Sequence, residues 1–363
     1  MKRFMLIILA ITFFGITIVG TLAPVEGRDW ARSSLWNPYP EKMVDTSKYK
    51  KAPPYTMAYC NNGLSNAWSI FGVQSMKYTV HKNRDKIKNF YFTDAMDKPD
   101  KQIADMEDLM VKGVDLIIIR AATEAALDPI VSRAHKQGIP IICFSRRVKS
   151  DNFESYVSAS NYSMGRIQMT WLAQVLKGKG NIVILAGYPG TSSAEERLAG
   201  GKEALARYPG IKVLDEQYTH YSVSKGKQVM QAMIQSFGKK IDGVWAVSGI
   251  EMTGGIEALH EAGIKIPITG EPRNSYMKRV QEYGFQAMAI GYPSTMAGEC
   301  VELGLKILQG VPVPFFHNAT RLVITTVDTE DVKSDVPWSS MTFPDRPDTE
   351  WNDHGLPKEW LPK

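Results

Sequence analysis

The residues of this chain that could do chemistry sit in one kind of place, directly after short apolar runs. Tyr55 to Tyr59 is followed by "CNNGLSNAW" (60–68), which supplies Asn61, Asn62, Asn66 and Trp68. Later runs open onto Thr93 and Asp94, onto Arg120 and Thr123, and onto Ser145, Arg146 and Arg147. The second half offers Tyr188 and Thr191, with Arg197 soon after. Tyr221, Ser248, Glu251, Glu271, Arg273, Asn274 and Tyr292 complete the set. Amides and hydroxyls donate and accept hydrogen bonds, and a guanidinium presents a fixed fork of donors. Together with aromatic faces for C–H surface, this is the makeup of a site for a small polyhydroxylated molecule.

Two readings compete at the first of these elbows. Turns favour Asn and Gly because both tolerate left-handed backbone, which accounts for Asn61, Asn62 and Gly63 without any ligand. Trp68 is then either a core residue of the helix that follows or a wall of the site.

Catalytic readings find little support. The chain has no GxSxG elbow, no phosphate loop ending in GK[ST], and no GxGxxG opening a helix after a strand. "GYPGTSSA" (187–194) is glycine-rich but lacks the lysine of a phosphate loop. It reads better as a helix start, with Thr191 or Ser192 as cap and Glu195 and Glu196 in the acid-favouring first turn. No carboxylate pair suggests glycoside hydrolysis, and no enzyme is expected. The 6 histidines form no metal-binding spacing, so neither metal nor cofactor is expected. The 3 cysteines are far apart. Cys143 lies in an apolar run and reads as a small core residue, while a bridge between Cys60 and Cys300 stays open.

These loops need elements to position them. Apolar runs of strand length fall at Tyr55–Tyr59, Ile87–Phe92, Val114–Ile119 and Ile139–Phe144. After Tyr156–Ser158 the rhythm resumes at Asn181–Leu185, Lys212–Leu214, Gly243–Val247, Ile266–Thr269, Gln286–Ile290 and Arg321–Thr325. Helical spacing fills the gaps: Ile70, Val73, Met76 and Val80 mark one face of the first helix. Runs such as "VDLIII" suit central strands of a parallel sheet covered on both faces. The alternation predicts an α/β fold of two Rossmann-like lobes, each a doubly wound parallel sheet with right-handed crossovers. In open sheets of this kind, ligands bind beyond the carboxyl ends of the strands.

The ends differ in texture. Lys2 and Arg3 precede an apolar core from Phe4 to Val19, and Val25-Glu26-Gly27 fits a small-x-small cut. Residues 1–27 therefore read as a secretory signal cleaved near Gly27, so the mature chain is expected to be exported. An uncleaved anchor is the alternative, since about 20 apolar residues span a bilayer. The formal charge of +5 falls by one on cleavage, too mild a balance to argue for nucleic acid. Residues 28–54 form an irregular arm. From Asp331 a Pro- and Asp-rich stretch carries Trp338, Trp351 and Trp360, which are costly to leave in water and are expected to pin the tail.

The order of these stretches resembles the type 1 periplasmic binding proteins, closest in layout to the ribose-binding branch that serves ABC sugar importers. The resemblance is carried by "SNAW", "DLMVKGVDLIII", "QGIPIICFSRR", "YVSASNYSMG", "GYPGTSSAEERLAGG" and the Gly-Glu-Pro turn at 270. It implies residues 55–158 plus 293–318 as an N-terminal lobe and 161–290 as a C-terminal lobe. Residues 319–363 would hold the last hinge segment, a strand and the tail. Crossings would fall near Ser158–Asn161, Ile290–Pro293 and residues 318–324. It further implies a monomer that captures a carbohydrate-like ligand and docks on a membrane-embedded ABC permease, or alternatively presents a sugar-like signal to a membrane receptor.

Matched position by position, the resemblance assigns Asn62 and Asn66 to polar ligand contacts and Trp68 to the sugar face. It assigns Arg146 and Arg197 to forked contacts and Tyr221 to a second aromatic wall. Ser145, Ser248 and Glu271 fall at ligand positions where the family pattern changes. Ser145 stands where the ribose-binding branch has an aspartate, Pro272 replaces another, and Ser248-Gly249 replaces an amide. Losing acids while keeping arginines tilts the expected ligand toward an acidic or otherwise modified sugar, unless Glu251 and Glu271 supply the missing acceptors.

Overall fold

The computed structural model of the chain describes residues 41–319, 322–350, 352 and 356–362. The expected signal at 1–27, the first part of the arm, Arg321 and Trp351 lie outside them. The first lobe begins with β1 (Met43–Val44) and alternates β2 (Tyr55–Asn61), α1 (Ala67–Lys82), β3 (Ile87–Asp94), α2 (Pro99–Val111), β4 (Leu116–Arg120), α3 (Glu124–Lys136), β5 (Ile141–Phe144) and β6 (Ser155–Ser158). The second runs α4 (Asn161–Val175), β7 (Lys179–Ala186), α5 (Ser192–Leu205), β8 (Gly210–Tyr218), α6 (Val223–Phe237), β9 (Gly243–Ala246), α7 (Gly249–Glu261), β10 (Ile268–Gly270), α8 (Asn274–Tyr283) and β11 (Ala287–Ile290). The chain then returns to the first lobe for α9 (Met296–Leu308), β12 (Val313–Pro314) and β13 (Phe316–Asn318), and crosses again to β14 (Val323–Thr325).

Each lobe is built on a six-stranded sheet. The first has the order β13-β6-β5-β4-β2-β3, with every pair parallel. The second has the order β14-β11-β10-β9-β7-β8, parallel except for β14 against β11. Central β4 is buried along its whole length, as a strand with helices on both faces must be.

The helices begin where the site needs them. Asn66 caps α1, its side-chain oxygen accepting from the Ser69 amide at 3.1 Å. Ser248 does the same for α7, accepting from the Ile250 amide at 3.1 Å. A polar cap that satisfies free amides at each helix start thus also stations a hydrogen-bonding group at the strand exits.

The structure departs from the sequence expectations in places. The first strand runs on to Asn61, so Cys60 and Asn61 pair within the sheet rather than forming the turn. Three short strands, β1, β12 and β13, carry no periodic signal. Ile70 is 40% exposed while Trp68, Phe71, Val73 and Met76 turn inward, because the start of α1 overhangs an outer hollow that Ile70 lines.

The tail is fastened to both lobes. Trp338 is buried against Tyr276, its indole nitrogen donating to the Met277 carbonyl at 3.1 Å. The Asn274 amide donates to the carbonyls of Phe343, Arg346 and Pro347. Trp360 packs on Tyr78 and His81 of α1. Among the described residues no helix is long and apolar enough to cross a membrane.

Candidate functional site

The carboxyl ends of both sheets face one cleft, and a cavity lies at its centre. The first lobe contributes Asn66, Trp68, Arg120 and Ser145 to its lining. The second contributes Ser193, Arg197, Tyr221, Ser248, Ile250 and Glu271, and Tyr292 comes from the crossing between them. The cavity volume is about 30 Å³, room for a water or two, so the lobes are closed on one another. Asn66, Tyr221 and Ile250 also line an outer hollow of about 920 Å³, bordered by the tail at Pro347, Thr349, Glu350, Leu361 and Pro362.

Seven of the nine residues expected from the sequence therefore line the cavity. Asn62 and Arg146 do not. Asn62 is buried and donates its amide to Asp97 at 2.6 Å, a contact that ties the elbow to the loop after β3. Arg146 is buried behind the lining, its guanidinium 6.0 Å from the Tyr188 ring centre.

Trp68 satisfies both readings at once. It is a core residue, stacked on Phe144 at 5.5 Å with its indole nitrogen donating to the Tyr292 carbonyl at 2.7 Å. It also lines the cavity, with the Arg120 guanidinium 5.0 Å from its ring centre, a cation–π distance.

Arg197 departs from the expected ligand fork. Its Nε donates to Asn161 at 3.0 Å, and Nη1 donates to the Val247 carbonyl at 2.7 Å and to Glu271 at 2.8 Å. Both members of the Arg197–Glu271 ion pair have 3% of their side chains exposed. Burial is the largest single influence and works against the Arg197 charge, but Glu271, Tyr221, Tyr292 and Glu251 together hold the guanidinium above its ordinary pKa. Most of this fork organises its own lobe.

The close approach of α7 to Glu271 requires Gly249, where a Cβ would stand 2.3 Å from the Glu271 carbonyl oxygen. Ser145, His220 and Tyr221 adopt left-handed backbone, with φ of 62°, 58° and 52°. Non-glycine residues held in that region cluster at ligand clamps. The surroundings hold Ser145: its carbonyl accepts from the hydroxyls of Tyr156 at 3.0 Å and Tyr292 at 3.1 Å. Tyr292 also meets Ser158 at 3.0 Å, so one ring joins a lobe crossing, the exit of β5 and Trp68.

Sequence reasoning passed over Ser193 and Ile250, which have no distinguishing local signal. Arg120 and Tyr292 were visible only as loop residues, although a cation ending the buried strand "LIIIR" is itself a signal. Glu251 is wholly buried with neither carboxyl oxygen hydrogen-bonded, and burial, with Glu271 nearby, holds its pKa well above the usual carboxylate range. Burial likewise, then the charge of Arg120, lowers Arg146 to about 10. Cys60, Cys143 and Cys300 are buried free thiols, so the Cys60–Cys300 bridge does not form. Among the described residues no three His, Cys, Asp or Glu side chains cluster as a metal site would need.

Comparison with known proteins places this geometry in context. Residues 57–312 match the model of the periplasmic binding protein domain. The galactofuranose-binding protein of Escherichia coli K12 is 30% identical over 220 residues, covering 59% of this chain and 68% of the relative. A periplasmic solute-binding protein of an ABC transporter from Actinobacillus succinogenes, solved with D-allose, superposes with a TM-score of 0.65 at 25% identity. That match covers 74% of this chain and 96% of the other. The fructose-binding periplasmic domain of a hybrid two-component system reaches 0.69 at 27% identity, covering 75% and 91%.

Proposed function

Because the chain belongs to the periplasmic binding protein domain family, we propose that it is an exported solute-binding protein. It captures a small carbohydrate-like ligand between its lobes and delivers it to a membrane-embedded ABC permease. The observation that carries this reading is the central cavity, to which both lobes bring hydrogen-bonding side chains and aromatic rings. Asn66, Trp68 and Ser145 hold the ligand from one side. Tyr221, Ser248, Glu271 and the remaining donors of Arg197 hold it from the other, with Asn62 and Arg146 supporting from behind. Relatives of this family bind and release rather than transform, and the chain is not an enzyme.

Contacts to both lobes stabilise the closed form over the open one, and closure follows from that difference. The moving bodies are residues 55–158 with 293–318, and residues 161–290, turning about the three crossings. Export uses residues 1–27, cleaved near Gly27, and the mature protein works in the periplasm as a monomer without nucleic acid. A sensory role is the second reading, favoured by the likeness to the periplasmic domain of a two-component system. Stimulation of a reconstituted permease–ATPase by loaded protein supports delivery, and stimulation of a histidine kinase instead supports sensing.

The test of binding is a thermal-shift screen of the mature protein against pentoses, hexoses, polyols and sugar acids. Tryptophan fluorescence of Trp68→Phe then checks the site. A compound that binds only the folded state must raise the midpoint. A screen in which no carbohydrate does so sinks the reading.

A further inference from the structure

Two buried arginines, one in the cavity lining and one behind it, lack an acidic partner among the described residues. Arg120 ends β4, pairs in register with Asn61, and is 5% exposed while lining the cavity. Arg146 is equally buried. The Nε of each is buried without a hydrogen-bond partner, and neither forms an ion pair among the described residues. Asp97 acts on Arg146 through space but lies beyond ion-pair reach and already accepts from Asn62.

The acids that sequence comparison offered as replacements are both spent. Glu271 is taken by Arg197 at 2.8 Å. Glu251 does not line the cavity. Arg120 and Arg197 line the cavity and Arg146 lies behind it, while Glu271 is the one carboxylate among the described lining residues. A buried charge without a counter-charge is costly, and hydroxyl groups of a neutral sugar offer no charge to offset it. A carboxylate does, presenting two oxygens to forked donors.

We propose that the ligand is a carbohydrate bearing a carboxylate, met in the cavity by Arg120 with Arg146 behind it; this rests on the carbohydrate-binding reading and narrows it to sugar acids. The two guanidiniums are near enough for the charge of Arg120 to lower the pKa of Arg146. A carboxylate against Arg120 offsets that repulsion and part of the cost of burying the charge.

The experiment is calorimetric titration of wild-type protein with matched pairs: D-galactose and D-galacturonate, D-glucose and D-glucuronate, D-ribose and D-ribonate, with ribose 5-phosphate as a further arm. The expected result is one acid binding about tenfold or more tightly than its neutral partner. Arg120→Gln should lose far more affinity for that acid than for the neutral sugar, its fold checked by circular dichroism. The wild-type comparison stands even if the variant misfolds. Neutral sugars binding as well as their acids overturns the proposal and leaves carbohydrate binding intact. Binding of the sugar phosphate but of no carboxylate overturns the assignment to sugar acids. If neither neutral nor acidic sugars bind, the carbohydrate reading falls and this proposal with it.

Discussion

Arg197 and Glu271 meet at 2.8 Å at the base of the cleft, 74 residues apart in sequence and almost wholly shielded from water. The pair holds the start of α5 against the exit of β10, so it shapes the second lobe whether or not a ligand is present. Removing one member leaves the other charge buried and unpaired. Glu271→Ala should therefore destabilise the protein by about 3–5 kcal/mol, measured by urea unfolding. Glu271→Gln keeps an acceptor for Arg197 and should cost less. Equal stability of wild type and the Ala variant would show that the pair is not formed.

Glu251 gives the fold a pH signature. Its carboxyl ionises well above the ordinary value of 4.5 because it is buried, with Glu271 adding to the effect. A group with a raised folded-state pKa contributes stability that is complete below its unfolded value and lost as pH climbs through the folded one. Thermal midpoints of wild type and Glu251→Gln should coincide near about pH 4 and separate as pH rises, with the variant the more stable. Parallel curves would contradict a buried, protonated Glu251.

Arg147 acts as a clasp across the cleft. Its backbone amide donates to Ser192 at 3.0 Å and its Nε reaches Glu196 at 3.3 Å, both on the opposite lobe. The side chain is about a quarter exposed, where an ion pair contributes modestly. Arg147→Ala should weaken ligand affinity about two- to fivefold, chiefly through faster release, with little change in the unliganded melting point. An unchanged dissociation rate would remove the clasp.

The thiols should be silent. Burial pushes Cys60 and Cys143 up to about 12 and Cys300 well above its ordinary value. A thiol reagent should find none of the 3 cysteines in the native protein at neutral pH, and all of them once it is unfolded. Rapid native labelling would place one of these residues at the surface.

Much of this protein is legible along the chain. Leu116–Ile119 can only be covered on both faces, and Asn66 and Ser248 announce helix starts, because strand burial and capping depend on neighbours a few residues away. That local logic fixed the strand–helix alternation and brought seven of nine expected residues to one cavity. The remainder depended on distance. Nothing near Arg197 reveals that Glu271 will occupy it, and nothing near Arg120 reveals that no acid will. Ile70 shares the spacing of a core position yet faces an outer hollow, since what lies opposite a helix is set by another lobe. Periodicity chooses elements through local sterics and solvation. Which charge meets which, and which is left for a ligand, is decided only when the two sheets close on each other.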